Sequence, residues 1–182
     1  MLPQCVSLII WRWVDSGNQP HDTEVLLAKR SAFQFDDPSH IQPQDFFGGW
    51  QIFPSGKLGG DEEPLTAAWS KLRDYGGVRA MIGLKALVGR NPARLRRVGQ
   101  NCFAVEIKES DKFDGDSDFL NLVDFSPNYM AIDWKPLAEI LHFSDLVPYR
   151  HGVPKGVEAI FKDQRDLIKQ LADQVRRIQW IS

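Results

Sequence analysis

Glu62, Lys71, Asp74 and Tyr75 lie in a stretch, Trp50 to Val78, whose residue types and spacing suit the handling of phosphate. The stretch opens on a turn-prone Pro54-Ser55-Gly56 and runs through Lys57, Gly59 and Gly60. Backbone N–H groups of such a loop can face an anion. Asp61, Glu62 and Glu63 follow, then Pro64, a residue that suits the first turn of a helix. Acids at that end complement the positive end of the helix dipole. Leu65, Ala68, Trp69 and Leu72 recur at helical spacing and predict an apolar face. Gly76-Gly77 closes the helix, where a left-handed cap is cheap only for glycine.

This stretch resembles the Nudix box, the signature of the Nudix hydrolase family. The box is a glycine, five residues, a glutamate, seven residues, then Arg-Glu-aliphatic-x-Glu-Glu-x-Gly-aliphatic. Without a gap, its glycine falls on Gly56, its first glutamate on Glu62, its aliphatic on Leu72, and its closing Gly-aliphatic pair on Gly77-Val78. Three flanks are similar as well: Val25–Arg30 to the strand before the box, Trp50–Pro54 to the entry into it, and Asp133–Ile140 to a segment late in the domain. The departures are specific. Ser70-Lys71 stands for Arg-Glu, Asp74-Tyr75 for Glu-Glu, and Asp61 for the glycine before the box glutamate. In the family, glutamates at the positions of 71, 74 and 75 hold divalent cations against a pyrophosphate.

Positions 71, 74 and 75 share one helix face. Three glutamates there would carry about three negative charges, whereas Lys71, Asp74 and Tyr75 sum to about zero. Magnesium needs hard anionic oxygens in near-octahedral geometry. One aspartate beside an ammonium is a poor site for it.

Two function classes follow. The favoured one is a Nudix-fold protein with a degraded metal site. It binds a nucleotide-like small molecule or a protein partner, with little or no classical hydrolysis and no cofactor. Gly56, Lys57, Lys71, Tyr75 and Arg30 would form its ligand site, with the Lys71 ammonium either meeting a phosphate or pairing along the helix with Asp74. The alternative is an active Nudix-type hydrolase cleaving a nucleoside diphosphate linked to another moiety. As the resemblance implies, water would attack phosphorus with help from Mg2+ or Mn2+. Glu62 and Asp74 would be its catalytic and metal-holding acids, completed by Glu106, Asp114, Asp116 or Asp118.

The remaining conspicuous groups have plainer readings. Asp111, Asp114, Asp116 and Asp118 miss the EF-hand pattern and read as a solvated turn. Arg90, Arg94, Arg96 and Arg97 read as a solvated, helix- or turn-forming face more than a phosphate grip. His21, His40, His142 and His151 lack metal-ligand spacing. Trp50 and Trp69 read as core, with base stacking the alternative.

The elements that must position these groups read as one mixed α/β domain over residues 1–182. The resemblance implies a Nudix-like α/β/α sandwich around a mixed sheet, with the box helix on one face and a long C-terminal helix that packs on the other side or extends the family core. Strands are expected at 5–14, 23–29, 78–88, 101–108, 119–125 and 131–134. Residues 31–49 form a long connection of the kind that walls a pocket. An amphipathic helix is expected at 155–179, with Val157, Ile160, Phe161, Leu167, Ile168, Leu171, Val175 and Ile178 on its apolar side.

With 182 residues and 43% hydrophobic content, the chain has material for one core. Lys plus Arg is 22 against 24 Asp plus Glu, a balance that argues against a dedicated nucleic-acid binder. Two cysteines imply no disulfide framework and fit a reducing, cytoplasmic setting. The apolar run Val6–Trp11 is too short for a membrane span. A homodimer is compatible with the family resemblance.

Overall fold

The computed structural model describes residues 4–14, 23–35, 39–113, 115 and 118–179. The strand β1 (Cys5–Trp13) sits at the centre of the sheet. Its run Val6–Trp11 is buried residue by residue, as expected for a strand covered on both faces. Alternation sorts the side chains. Val6, Leu8 and Ile10 join one apolar cluster, and Ile9 and Trp11 join the other. In β2 (Thr23–Arg30), Leu26 and Ala28 take the first face, Val25 and Leu27 the second.

A short hairpin of β3 (Phe33–Gln34) and β4 (Gln42–Pro43) occupies the long connection, which returns as β5 (Trp50–Ile52) and β6 (Ser55–Lys57). The box helix α1 (Pro64–Gly76) and α2 (Val78–Arg90) follow, then β7 (Leu95–Gly99), β8 (Cys102–Ile107) and β9 (Tyr129–Pro136). The chain ends through a single turn α3 (Leu137–Ile140), β10 (Ser144–Asp145), β11 (Ala159–Ile160) and α4 (Lys162–Gln179).

Among the described residues the main sheet has nine strands, ordered β10-β11-β5-β2-β1-β8-β7, with β6 on β1 and β9 on β2. It is mixed: β1 runs parallel to β8 and β5 to β11, while β1–β2, β2–β5, β2–β9 and β7–β8 are antiparallel. Helices α1 and α2 pack Ala68, Leu72, Ala80 and Leu84 on one face; α3 and α4 pack Leu137, Ile168 and Leu171 on the other. The result is an α/β/α sandwich.

One local device shapes the site. β1 pairs with β2 only at Trp11–Trp13 against Thr23–Val25. Beyond that they diverge, and β6 pairs with Cys5–Ser7 while β5 pairs with Leu27–Lys29. The wedge between the diverging ends is filled by the Phe53-Pro54 corner, whose peptide bond is cis.

Four expectations need correction. Residues 78–90 form a helix, not strands: Ala80, Leu84 and Leu87 are buried at helical spacing, and Gly83 lets α2 approach Leu122 and Phe113. Residues 119–122 form a 3-10 turn whose Leu120 N–H donates to Asp118 at 3.0 Å. Part of the arginine-rich stretch is strand β7. The C-terminal helix begins at Lys162, because Ile160 is taken up in the sheet opposite Trp50. Val157, Ile160 and Phe161 therefore lie outside it.

Candidate functional site

The divergence of β1 and β2 leaves a cavity of about 510 Å³ at the open end of the sheet, reached by α1 from one face and α4 from the other. Arg30, Gly56, Lys57, Lys71 and Tyr75 all line it. Glu62 and Asp74 do not.

The box stretch folds as its residues dictate. Glu63 is the N-cap of α1, accepting from Thr66 N–H at 2.7 Å, and Pro64 fills the first turn. Hydrogen bonds from the Leu65 and Thr66 backbone hold the Glu63 carboxyl below its ordinary pKa. Gly77 ends the helix at φ +89°, with its N–H donating to Arg73 O at 3.0 Å. A Cβ there would lie 3.2 Å from the Asp124 Cβ, so glycine serves both backbone and space. Helix α1 thus presents Lys71 and Tyr75, one turn apart, to the cavity.

The Lys71 side chain crosses Gly56: a Cβ on that glycine would meet Lys71 Cδ at 2.9 Å and Cε at 3.0 Å. Asp74 is exposed and pairs with Arg73, its neighbour, at 2.9 Å, not with Lys71. Glu62 lies instead beside Gly59, whose added Cβ would sit 3.5 Å from Glu62 Oε2.

Arg30 ends β2 in a shell of neutral acceptors. Its Nε donates to Asp45 O at 3.1 Å and its Nη1 to Gln51 Oε1 at 2.6 Å. With the Gln44 amide turned so that its nitrogen donates to Ser31 O and Asn128 O, its oxygen accepts from Arg30 Nη2 at 3.0 Å. The guanidinium stands 6.0 Å over the Phe161 ring. Burial lowers its pKa, opposed by Tyr129, Asp45 and Tyr75. Arginine stays charged through such shifts.

Gln51 passes the arrangement on. Its oxygen is committed to Arg30, so its nitrogen donates to Tyr129 Oη at 2.9 Å. Tyr129 meets Phe53 and Tyr75 edge to face, with centroids 5.6 and 5.8 Å apart. Gln164 of α4 ties the other wall, accepting from Ile52 N–H at 2.7 Å and donating to Ser55 Oγ at 3.4 Å.

The donor set along this cavity does not fit a hard divalent cation. Arg30, Lys57 and Lys71 line it together with amides, hydroxyls, the Cys5 thiol and aromatic rings, and among the described residues no carboxylate does. Among the described residues, no three His, Cys, Asp or Glu side chains are grouped to hold a metal.

The other acids named from the sequence are elsewhere. Glu106 lies on β8 opposite Trp11, and Asp118 caps its turn beside a separate cavity with Arg12 and Lys108. Asp111 pairs with Arg94. Asp114, Asp116 and His21 lie outside the described residues. Arg96 stacks over Trp11 and Arg97 over Phe103. Trp50 and Trp69 are core residues, Trp50 held by Glu158 and flanked by Lys29 and Lys135.

With the box frame carried by the loop and α1, and helices on both faces of a mixed sheet, the architecture is settled. The fold is Nudix-like. Among similar solved structures, the C-terminal domain of mouse MUTYH, crystallised in complex with human PCNA, has a TM-score of 0.50 and 12% identity, covering 93% of this chain and 87% of that one. RenU, a Nudix hydrolase from M. smegmatis, has a TM-score of 0.46 and 13% identity, covering 97% and 88%. The Ap4A hydrolase of C. elegans has a TM-score of 0.44 and 12% identity, covering 96% and 99%. These likenesses are of fold. No protein-family model matches the chain, and no curated protein matches it in sequence.

The Nudix-like frame explains how Gly56, Lys71 and Tyr75 come together, since the box links its loop to one face of its helix. It does not explain Gln44, Gln51, Asn128, Tyr129, Phe161 or Gln164, which sequence reasoning missed. One signal was present: Gln51, a polar residue between Trp50 and Ile52 in an otherwise apolar strand, is 5% exposed. A buried amide needs partners, and here they are Arg30 and Tyr129.

Proposed function

We infer that this Nudix-like protein binds a nucleotide-like phosphorylated molecule in the cavity, without a divalent cation and with little or no hydrolysis. One observation carries the reading: among the described residues, three cationic side chains, Arg30, Lys57 and Lys71, line the cavity and no carboxylate does. A concave site of about 510 Å³ is of the size that encloses a small ligand. Lysine serves a phosphate as a point charge, and Lys71 stands where the box resemblance places a metal-holding glutamate. Its ammonium supplies locally, in fixed form, positive charge of the kind a metal ion would bring. Tyr75, Tyr129 and Phe161 offer aromatic surface to a base, and the surrounding amides offer donors and acceptors to its edge.

Both cysteines are free thiols, which supports a reducing compartment, and a cytoplasmic setting belongs to this reading. Among the described residues, no helix is long and apolar enough to cross a membrane.

The test is calorimetric titration of ADP-ribose and a nucleotide panel into the protein in a chelator, for the parent and for Lys71→Ala. Phosphate release with magnesium or manganese is followed in parallel. The reading expects saturable binding in chelator, weakened by Lys71→Ala, and no metal-dependent turnover. Turnover that needs metal and is lost in Glu62→Gln would return the protein to the hydrolases.

A further inference from the structure

We propose that the ligand is a nucleotide bearing two separate anionic groups on either side of a neutral sugar, one met by Lys71 and Lys57 beside Gly56 and the other by Arg30. This rests on the reading that the cavity binds a nucleotide, and it specifies which class.

The cations occupy two places. Lys57 is the last residue of β6, and the Lys71 stem lies across Gly56 of the same strand, so both belong to the β6 end. Arg30 belongs to β2, tied to β5 through Gln51 and to the 44–45 segment through Asp45 and Gln44. The aromatic pair Tyr75–Tyr129 links the two ends. Tyr75 is one turn beyond Lys71 on α1, about 6 Å along the axis. Tyr129 is bound to Gln51, which is bound to Arg30. Rings joined by contacts to both positive ends suit a neutral unit of the ligand, not a continuous phosphate chain.

Arg30 is also built to take an anion. A guanidinium has five N–H donors. Among the described residues three are used, on the Asp45 carbonyl, Gln51 and Gln44, all neutral oxygens. The remaining two sit one on each terminal nitrogen, donors of the kind that meet the oxygens of a phosphate or carboxylate. The Asp45 carboxylate is paired with Arg150 at 3.2 Å. Arg30 is thus a partly buried cation with no direct acid partner among the described residues, and a second anion on the ligand offsets its desolvation.

The experiment compares the 5′-monophosphates, 5′-diphosphates and 3′,5′-bisphosphates of the four common ribonucleosides, titrated into the intact chain in chelator. For at least one base the bisphosphate is expected to bind ten-fold or more tighter than the monophosphate and tighter than the diphosphate. In Arg30→Met that advantage falls to near unity while the monophosphate still binds. Arg30→Lys, which keeps the charge and loses the guanidinium, retains only part of it. Monophosphates binding as well as bisphosphates would overturn the two-anion assignment and leave nucleotide binding intact. If no nucleotide binds in chelator, the underlying reading fails with it. The comparison on the parent decides the matter even if Arg30→Met does not fold.

Discussion

Lys71 and Gly56 are in contact across the mouth of the cavity: the lysine stem passes where a Cβ on residue 56 would stand, 2.9 Å from Cδ. Gly56 is not at a positive φ, so alanine meets no backbone strain there. It meets only the flexible part of one side chain. Gly56→Ala is therefore expected to change stability by less than about 1 kcal/mol, since Gly→Ala also lowers the entropy of the unfolded chain. It moves the ammonium, however, and nucleotide affinity in chelator should fall several-fold. Thermal unfolding and calorimetry on one preparation separate the two effects. A variant with unchanged affinity would remove Lys71 from the site.

Divalent cations are expected to bind weakly or not at all. Asp74 is paired with exposed Arg73, Glu62 lies by Gly59, and neither reaches the cavity lining. Coulomb attraction between an exposed acid and a cation is screened by water. Titration with magnesium and manganese should show no saturable micromolar site. The opposite result, abolished by Glu62→Gln and Asp74→Asn together, would restore the metal-dependent alternative.

Cys102 gives a pH test of the core. Burial against the α3/α4 face pushes its thiol pKa up to about 12. The folded protein then keeps a proton that the unfolded chain loses near about pH 8.5. This contribution is complete below that pH and is lost as pH rises toward 12, at most about 1.4 kcal/mol per pH unit. Urea unfolding between pH 8 and 10.5 should show a steeper loss for the parent than for Cys102→Ala. Equal slopes would mean that the thiol is not buried as described. Cys5, exposed at the cavity, is expected to react with thiol reagents in the native state while Cys102 does not.

What the sequence carries legibly is what local pattern determines. The run Val6–Trp11 declares a central strand because six successive buried residues leave no polar face. The box helix declares itself through Pro64, the Leu65–Leu72 spacing and Gly77. Helix α2 is hidden in the sequence because Val78 and Ile82, β-branched residues that suggest a strand, are exposed on it, while its small contact residues, buried Ala80 and half-buried Gly83, carry little hydrophobic signal. The start of α4 is not legible because Ile160 and Phe161 continue its apolar rhythm although Ile160 pairs with Trp50. The site divides in the same way. Lys57, Lys71 and Tyr75 sit in one short frame, whereas the amides converge from β5, α4 and the loop at Asn128, a meeting that only the fold brings about.

Rebuilding the acids is the sharpest test of the frame. Lys71 and Tyr75 both face the cavity one helical turn apart, with Cβ atoms about 5–6 Å apart, so Lys71→Glu with Tyr75→Glu puts two carboxylates on that face. The substitution gives up the edge-to-face contact of Tyr75 with Tyr129, worth about 1 kcal/mol, so the fold should survive. It also reverses the charge at the β6 end. The double mutant should bind manganese more tightly than the parent and lose nucleotide binding in chelator, with Ser70→Arg added where the new acids need an orienting partner. Titration with manganese and nucleotide binding with and without metal read both changes. A folded double mutant whose manganese affinity equals that of the parent would show that this face of α1 does not present its side chains as a unit, and the comparison of the cavity with a phosphate-handling site would lose its basis.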